Sequence, residues 1–340
     1  MPGSYRKRGE LKTKWVFSIL EQLRAIGCFY LGFTGGELFI RQDVMEILWY
    51  AKKMGFEVII YTNGSMIDEG IASQLQRLGP NKVDIAIPAM SKSAFERITG
   101  MDGSRRRVFN AIDLLYKRGM SLGFKTCVLK ENVSEIKDIQ DFARSLGALH
   151  RLDDVLLPRL NGSREPFKYR GRLLAARNGP HVIPHRSYAA KEARKESCNL
   201  DSKKPIPQIS NRTSHTDGLF TCGVGVSQAA ITPLGELKMC LMIDYPKYRI
   251  LSQATDGPSQ AEGQGSEGLE IAWVKLKELV RGIKADGNYQ CNKCELYAYC
   301  TWCPARGWLY NQSFTSCEPE IRLRARINSK MFAREIQKQT

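Results

Sequence analysis

No run of 18 apolar residues occurs in this 340-residue chain, which excludes an ordinary membrane-spanning helix. The first residues, MPGSYRKRGELKTKW, are basic but have no apolar stretch behind them, so a secretory signal is not expected. No RNA- or DNA-binding motif accompanies the basic residues, and no two cysteines are separated by three residues. The expectation is a cytoplasmic protein with no membrane and no nucleic-acid partner, in which thiols stay reduced. There, N-x-S/T triplets such as the one at Asn211 carry no glycosylation meaning.

What is present describes a globular chain. With 43% hydrophobic and 25% charged residues, its composition suits folded domains, and its length allows two or three of them. A formal charge of +16, from 51 basic and 35 acidic residues, is scattered along the chain with small clusters at Arg105-Arg106-Arg107 and from Arg322 to Arg326. In the absence of a nucleic-acid motif, that surplus points to a peptide or protein substrate rich in Asp and Glu.

From about residue 11 to 160, amphipathic stretches alternate with short apolar runs, the pattern of parallel strands joined by crossover helices. Trp15, Val16, Ile19, Leu20 and Leu23 recur at helical spacing before Gly27 and the strand FYLGF. Helices over 43–54, 68–78, 106–118 and 134–146 lead to strands EVIIY, VDIAI, GFKTCVL and DVLLP. In such sheets ligands meet the carboxyl ends of the strands. The segments there are Thr34-Gly35-Gly36-Glu37, Thr62-Asn63-Gly64, Glu96-Arg97-Ile98-Thr99-Gly100 and Pro158-Arg159-Leu160-Asn161-Gly162.

Cysteines crowd the last third. Cys222 and Cys240 form C-x12-G-x4-C through Gly235, and Cys291, Cys294, Cys300 and Cys303 form C-x2-C-x5-C-x2-C before a final Cys317. Thiols two residues apart in a tight turn can face one ion or cluster, so these seven are candidate metal ligands. A zinc site typically pairs two CxxC turns a dozen or more residues apart, whereas five residues separate Cys294 from Cys300, so iron–sulfur is favoured.

The order TGGE, TNG, RITG, PRLNG, followed by this cysteine pattern, resembles a radical S-adenosylmethionine (radical SAM) core with a SPASM auxiliary-cluster domain, most like the peptide-modifying enzymes. The resemblance implies an α/β fold, a partial (β/α)6 TIM-like barrel missing its first strand, and a small cysteine-rich domain. It implies that Gly35 and Gly36 bring backbone close to SAM and that Glu37 helps hold its amino group, with Asn63 also on the cofactor side. It implies that Cys291, Cys294, Cys300 and Cys317 hold one auxiliary 4Fe-4S cluster and Cys222, Cys240 and Cys303 a second. For the fourth ligand of that second cluster Cys198, His215, water or substrate all remain open. By themselves Cys198 reads as a surface thiol and His215 as a loop histidine. A reductant such as flavodoxin or ferredoxin, a peptide substrate and hydrogen abstraction by a 5'-deoxyadenosyl radical complete the implied activity.

Several features depart from that pattern. Leu38 stands where the family has proline after GGE, and Cys300 and Cys303 are separated by two residues rather than three. The family's C-x3-C-x2-C loop is not found in these 340 residues. Cys28 and Cys127 read as core thiols. The segment PGSYRKRGELKTKW looks like the stretch that follows the missing loop. The chain is therefore expected to be a piece of a longer enzyme, inactive and weak in SAM binding by itself. The alternative is a catalytically silent iron–sulfur accessory or binding protein. On either reading FYLGF becomes a sheet edge.

The expected domains are a core over 1–163, a bridge over 164–220, a SPASM domain over 221–325 and a helical tail over 326–340. A polar insertion at 252–270, expected to be flexible, precedes a helix over 271–283. Trp302, Trp308, Tyr297 and Tyr299 are expected to shield a cluster from water.

Overall fold

The structure, a computed structural model, describes residues 9–153, 155–171, 219–220, 222–251 and 268–339. Cys198, His215 and most of the expected bridge and insertion fall outside them. The chain divides into two compact units, Met1–Pro180 with Ala229–Leu276, and His181–Gln228 with Lys277–Thr340.

In the first unit the order is α1 (Thr13–Ala25), β1 (Tyr30–Phe33), α2 (Val44–Lys53), β2 (Glu57–Thr62), α3 (Glu69–Leu78), β3 (Lys82–Ala86), α4 (Lys92–Thr99), α5 (Ser104–Lys117), β4 (Leu122–Cys127), α6 (Ile136–Ser145) and β5 (Leu149–Asp153). All five strands are parallel and lie in chain order, as the α/β reading expects. Alternation along the strands sends Val58, Ile60, Val83, Ile85, Ile87 and Phe124 to one face, where they are fully buried with Leu48, Leu75, Leu115 and Ile139 from the helices. The other face carries Tyr61, Lys82, Asp84 and Lys125. Asp84 sits over Gly123, where an added Cβ would collide with its carboxylate, and pairs with Lys82 at 2.9 Å.

Helix ends follow local chemistry. Asp68 Oδ1 accepts from Ile71 N at 2.8 Å to open α3, and Gly79 closes it with φ +61°. Two readings of the sequence need correction. The fifth strand is Leu149–Asp153, not DVLLP, because α6 stops at Ser145 and the chain turns through Gly147 (φ +63°) directly into the sheet. Its residues, LHRLD, alternate exposed and half-buried, and among the described residues it lies at the sheet edge, where hydropathy does not mark it. The stretch ERITG is not a strand-end loop either; it finishes helix α4, which Ser91 caps and Gly100 ends. A second helix thus stands between β3 and β4, whose residues 92–99 the alternation had not separated. Among the described residues β1 does lie at a sheet edge, with Tyr30 67% exposed.

A three-stranded antiparallel sheet, β6 (Ala230–Ile231), β7 (Glu236–Lys238) and β8 (Lys247–Arg249), completes the first unit. Gly235 turns β6 into β7 at φ +75°, and its missing side chain leaves room for Leu11, whose Cδ1 would stand 3.3 Å from an added Cβ. Both demands explain the glycine of the C-x12-G-x4-C run. Helix α7 (Gly268–Gly282) buries Leu269, Ala272 and Leu276, and covers the helical stretch expected after the insertion. The second unit contains 3-10 turns at Cys291–Lys293 and Tyr297–Tyr299, then α8 (Pro304–Asn311) and α9 (Pro319–Gln339). Among the described residues no helix is long and apolar enough to cross a membrane.

Candidate functional site

Two loops meet at the carboxyl ends of β1 and β2. Glu37 leaves the TGGE segment with extended backbone and sends its carboxylate to the next loop: Oε1 accepts from Thr62 Oγ1 at 2.7 Å and Oε2 from Asn63 N at 2.8 Å. Oε1 also accepts from Phe39 N at 3.3 Å, so Glu37 caps the short turn Leu38–Ile40 that begins where the family's proline would stand. Thr62 Oγ1 in turn accepts from Gly64 N at 2.9 Å, and Asn63 Oδ1 from Ser65 N at 2.8 Å. Gly64, at φ +75°, has Ile85 Cγ2 3.3 Å from where a Cβ would be. The sequence singled out Glu37 and Asn63 but missed Thr62, whose hydroxyl joins the two loops. Its signal was the threonine heading the TNG turn.

A second constellation lies wholly in the second unit. Cys291, Cys294, Cys300 and Cys317 line one cavity, together with Leu219, Tyr289, Leu296, Tyr297, Trp302 and Arg322. The local fold brings them there in pieces: a 3-10 turn carries Cys291 to Cys294, a second precedes Cys300, and Cys317 stands two residues before α9. Trp302 Nε1 donates to Ser316 O at 2.8 Å, and Asn328 Nδ2 of α9 donates to Tyr299 O at 3.0 Å. Desolvation pushes the Cys291 thiol up to about 11, with the Cys300 and Cys294 charges adding to it. Cys317 is likewise raised to about 11, by desolvation first and then by Glu318 and the other three thiols. Thiols that raise one another in this way ionise together only beside a positive charge, which a bound metal supplies.

The other candidates are placed differently. Cys303 is half-buried at the start of α8, outside the cavity lining, and Cys222 is exposed in the same unit. Cys240 is half-buried in the first unit, two residues after β7. Of the four aromatics expected at a cluster, Tyr297 and Trp302 line the cavity, while Trp308 stacks on Phe314 with ring centroids 4.5 Å apart. Tyr289, which the sequence reading missed, completes the wall and lies 5.7 Å from the Trp302 ring. Among the described residues no three His, Cys, Asp or Glu form a ready single-ion site. Cys28 and Cys127 are half-buried, and desolvation raises both, Cys127 to about 11. Neither is among the buried core residues, where the sequence reading put them, though Cys28 packs against that core.

Comparison with known proteins identifies the N-terminal part of the chain. The Radical SAM superfamily profile matches residues 3–143. Those residues are a radical SAM domain. The family brings with it an iron–sulfur cluster and S-adenosylmethionine. The PqqA peptide cyclase of Gluconobacter oxydans is 30% identical over 143 residues, 42% of this chain and 40% of that protein. An AdoMet-dependent heme synthase of Methanosarcina barkeri is 30% identical over 141 residues and again matched over 40% of its length. The match thus spans about two fifths of these relatives. A heme synthase of Oleidesulfovibrio alaskensis is 24% identical over 334 residues, 92% of this chain and 79% of that one. Among solved structures, Streptococcus suis SuiB shares the fold with a TM-score of 0.59 at 14% identity, covering 91% of this chain and 70% of that one. The protein anSMEcpe, solved with AdoMet and the Cp18Cys peptide, gives 0.64 at 12% identity over 98% of this chain and 93% of that one.

Proposed function

We propose that this chain is a cytoplasmic radical SAM/SPASM protein that modifies a peptide or protein. The observation that carries the reading is the convergence of Cys291, Cys294, Cys300 and Cys317 on one cavity, in a chain whose other unit is a radical SAM domain. Four thiols with no carboxylate or imidazole among them suit an auxiliary 4Fe-4S cluster, and the apolar and aromatic lining suits a group kept from water. Cys222, Cys240 and Cys303 are assigned to a second auxiliary cluster whose fourth ligand is not fixed.

At the strand ends, Glu37 holds the GGE and TNG loops at a set spacing, so that Gly35, Gly36 and Asn63 present backbone and amide groups to SAM. A reduced cluster, whose C-x3-C-x2-C ligands are not among these 340 residues, would supply a 5'-deoxyadenosyl radical from SAM, and the residues of this chain would bind and orient the reactants. The peptide substrate rests on relatives and neighbours: the PqqA peptide cyclase, and SuiB solved with its precursor peptide SuiA, at a TM-score of 0.61 and 14% identity. The charge of +16 favours an acidic peptide, with an electron donor such as flavodoxin or ferredoxin.

Anaerobic reconstitution followed by iron and sulfide analysis tests the assignment. Two auxiliary clusters predict at least about eight irons with matching sulfide. Stoichiometric zinc without sulfide overturns it.

A further inference from the structure

Next in sequence to one of the four cavity thiols stands an ion pair that a stability argument alone does not explain. Glu318 is fully buried, and neither carboxylate oxygen has a hydrogen-bond partner. Arg306 Nε stands 3.3 Å from Glu318 Oε1, also buried and also without a well-directed hydrogen bond. Burying two charges in such a loose pair is costly, and an apolar pair of equal size would generally serve folding as well or better.

The position of the pair supplies a use. Glu318 directly follows Cys317 and heads α9, where its backbone oxygen accepts from Ile321 N at 3.2 Å. Arg306 lies in α8, and its Nη1 donates to Thr301 O at 3.1 Å, in the turn that begins with Cys300. The pair therefore joins the segment after Cys300 to the segment after Cys317, the two successive thiols of the four that lie furthest apart in sequence. Glu318 is the chain neighbour of a candidate ligand, so its carboxylate stands next to the thiol set, and the Arg306 guanidinium is 3.3 Å from it.

We propose that Arg306 and Glu318 are positioning residues for the auxiliary cluster, fixing the Cys300 and Cys317 loops together and setting its reduction potential through opposed buried charges. The inference rests on the assignment of the four thiols to a cluster. One-electron reduction adds negative charge to a group already negative with four thiolates, so the nearby carboxylate opposes it and the guanidinium favours it. No bond is made or broken in that step, and dithionite supplies the electron in the assay.

The test is an anaerobic redox titration followed by electron paramagnetic resonance, reading the signal that Cys294→Ala removes from the wild-type protein. Glu318→Gln, which keeps size and removes one charge, is expected to raise the midpoint potential. Adding Arg306→Met to it is expected to bring the potential back down towards wild type, since both charges are then gone. The double variant also guards against misfolding, because it leaves no unpaired buried charge. A purely structural pair would not move the potential in two directions. Unchanged potentials at wild-type iron content, shifts of the same sign in both steps, or loss of iron from both variants would overturn the role of the pair alone. A wild-type chain with no such cluster would overturn the thiol assignment and the pair with it.

Discussion

The two units solve the problem of stability by different means. In the first, one apolar layer runs from Leu48 through Val58, Ile60, Ile85 and Phe124 to Ile139, each fully buried, and the hydrophobic effect suffices to hold it. In the second, the buried set is shorter and includes Arg306, Thr315, Glu318 and Arg324 beside Leu296, Ala305, Leu309 and Ile321. Four thiols face a cavity where the first unit would place leucines. If the four thiols hold the proposed cluster, such a region would draw its order from what binds them, as small metal domains do. The five-stranded sheet of the first unit would then stand without metal, and the four-thiol region would not.

The largest effect that would sharpen this contrast is loss of a thiol. Cys294→Ala should remove about four irons per chain and destabilise the second unit, while the sheet of the first keeps its circular dichroism. Unchanged iron would break the contrast. Next in size is Phe124→Ala, which deletes a fully buried ring stacked on Phe142 and should cost about 3–5 kcal/mol in a denaturant melt of the first unit, with iron content untouched. Iron loss there would show that the units are not separate in their stability.

A smaller effect is expected at the strand-end loops. Thr62→Val removes the hydroxyl shared by Glu37 and Gly64 and should cost about 1–3 kcal/mol, together with weaker SAM binding by calorimetry. Wild-type affinity would mean that the loop tie has no part in the cofactor site. The smallest is a pH effect. His150 donates to or accepts from Thr126 Oγ1 at 2.9 Å, its Nδ1 is buried without a partner, and desolvation pushes its pKa down to about 4. The folded state therefore prefers the neutral ring: its contribution is full above pH 6.5 and is lost as pH falls towards 4. His150→Leu should flatten that part of the stability curve of the first unit, and an unaltered slope would contradict the assignment.

Legibility in the sequence followed the same division. Buried strands such as EVIIY and VDIAI, and helices with an apolar stripe, declare themselves by periodicity, and all but the fifth strand lie within a residue or two of their expected places. The fifth strand was hidden because the two leucines of LHRLD stand three apart, without strand alternation, whereas DVLLP beside it carries an apolar run. Helix α4 was hidden by its end: ERITG reads as a loop because Gly100 closes it. Cys291, Cys294, Cys300 and Cys317, grouped by resemblance, line one cavity, which spacing alone does not give: Cys303 is nearer to Cys300 in sequence than Cys317 is, yet lies outside that lining. Arg306, Glu318 and Tyr289 were not legible, because burial of a charge or the wall of a cavity depends on packing between turns that sequence order does not give.

Hydrogen exchange by mass spectrometry, on the reconstituted protein before and after anaerobic removal of iron by a chelator, tests the division most directly. The account predicts that protection over 289–325 falls to near that of an open chain while β2, β3 and β4 keep theirs. Protection over 289–325 that survives iron removal, or is lost equally from the sheet, would contradict it.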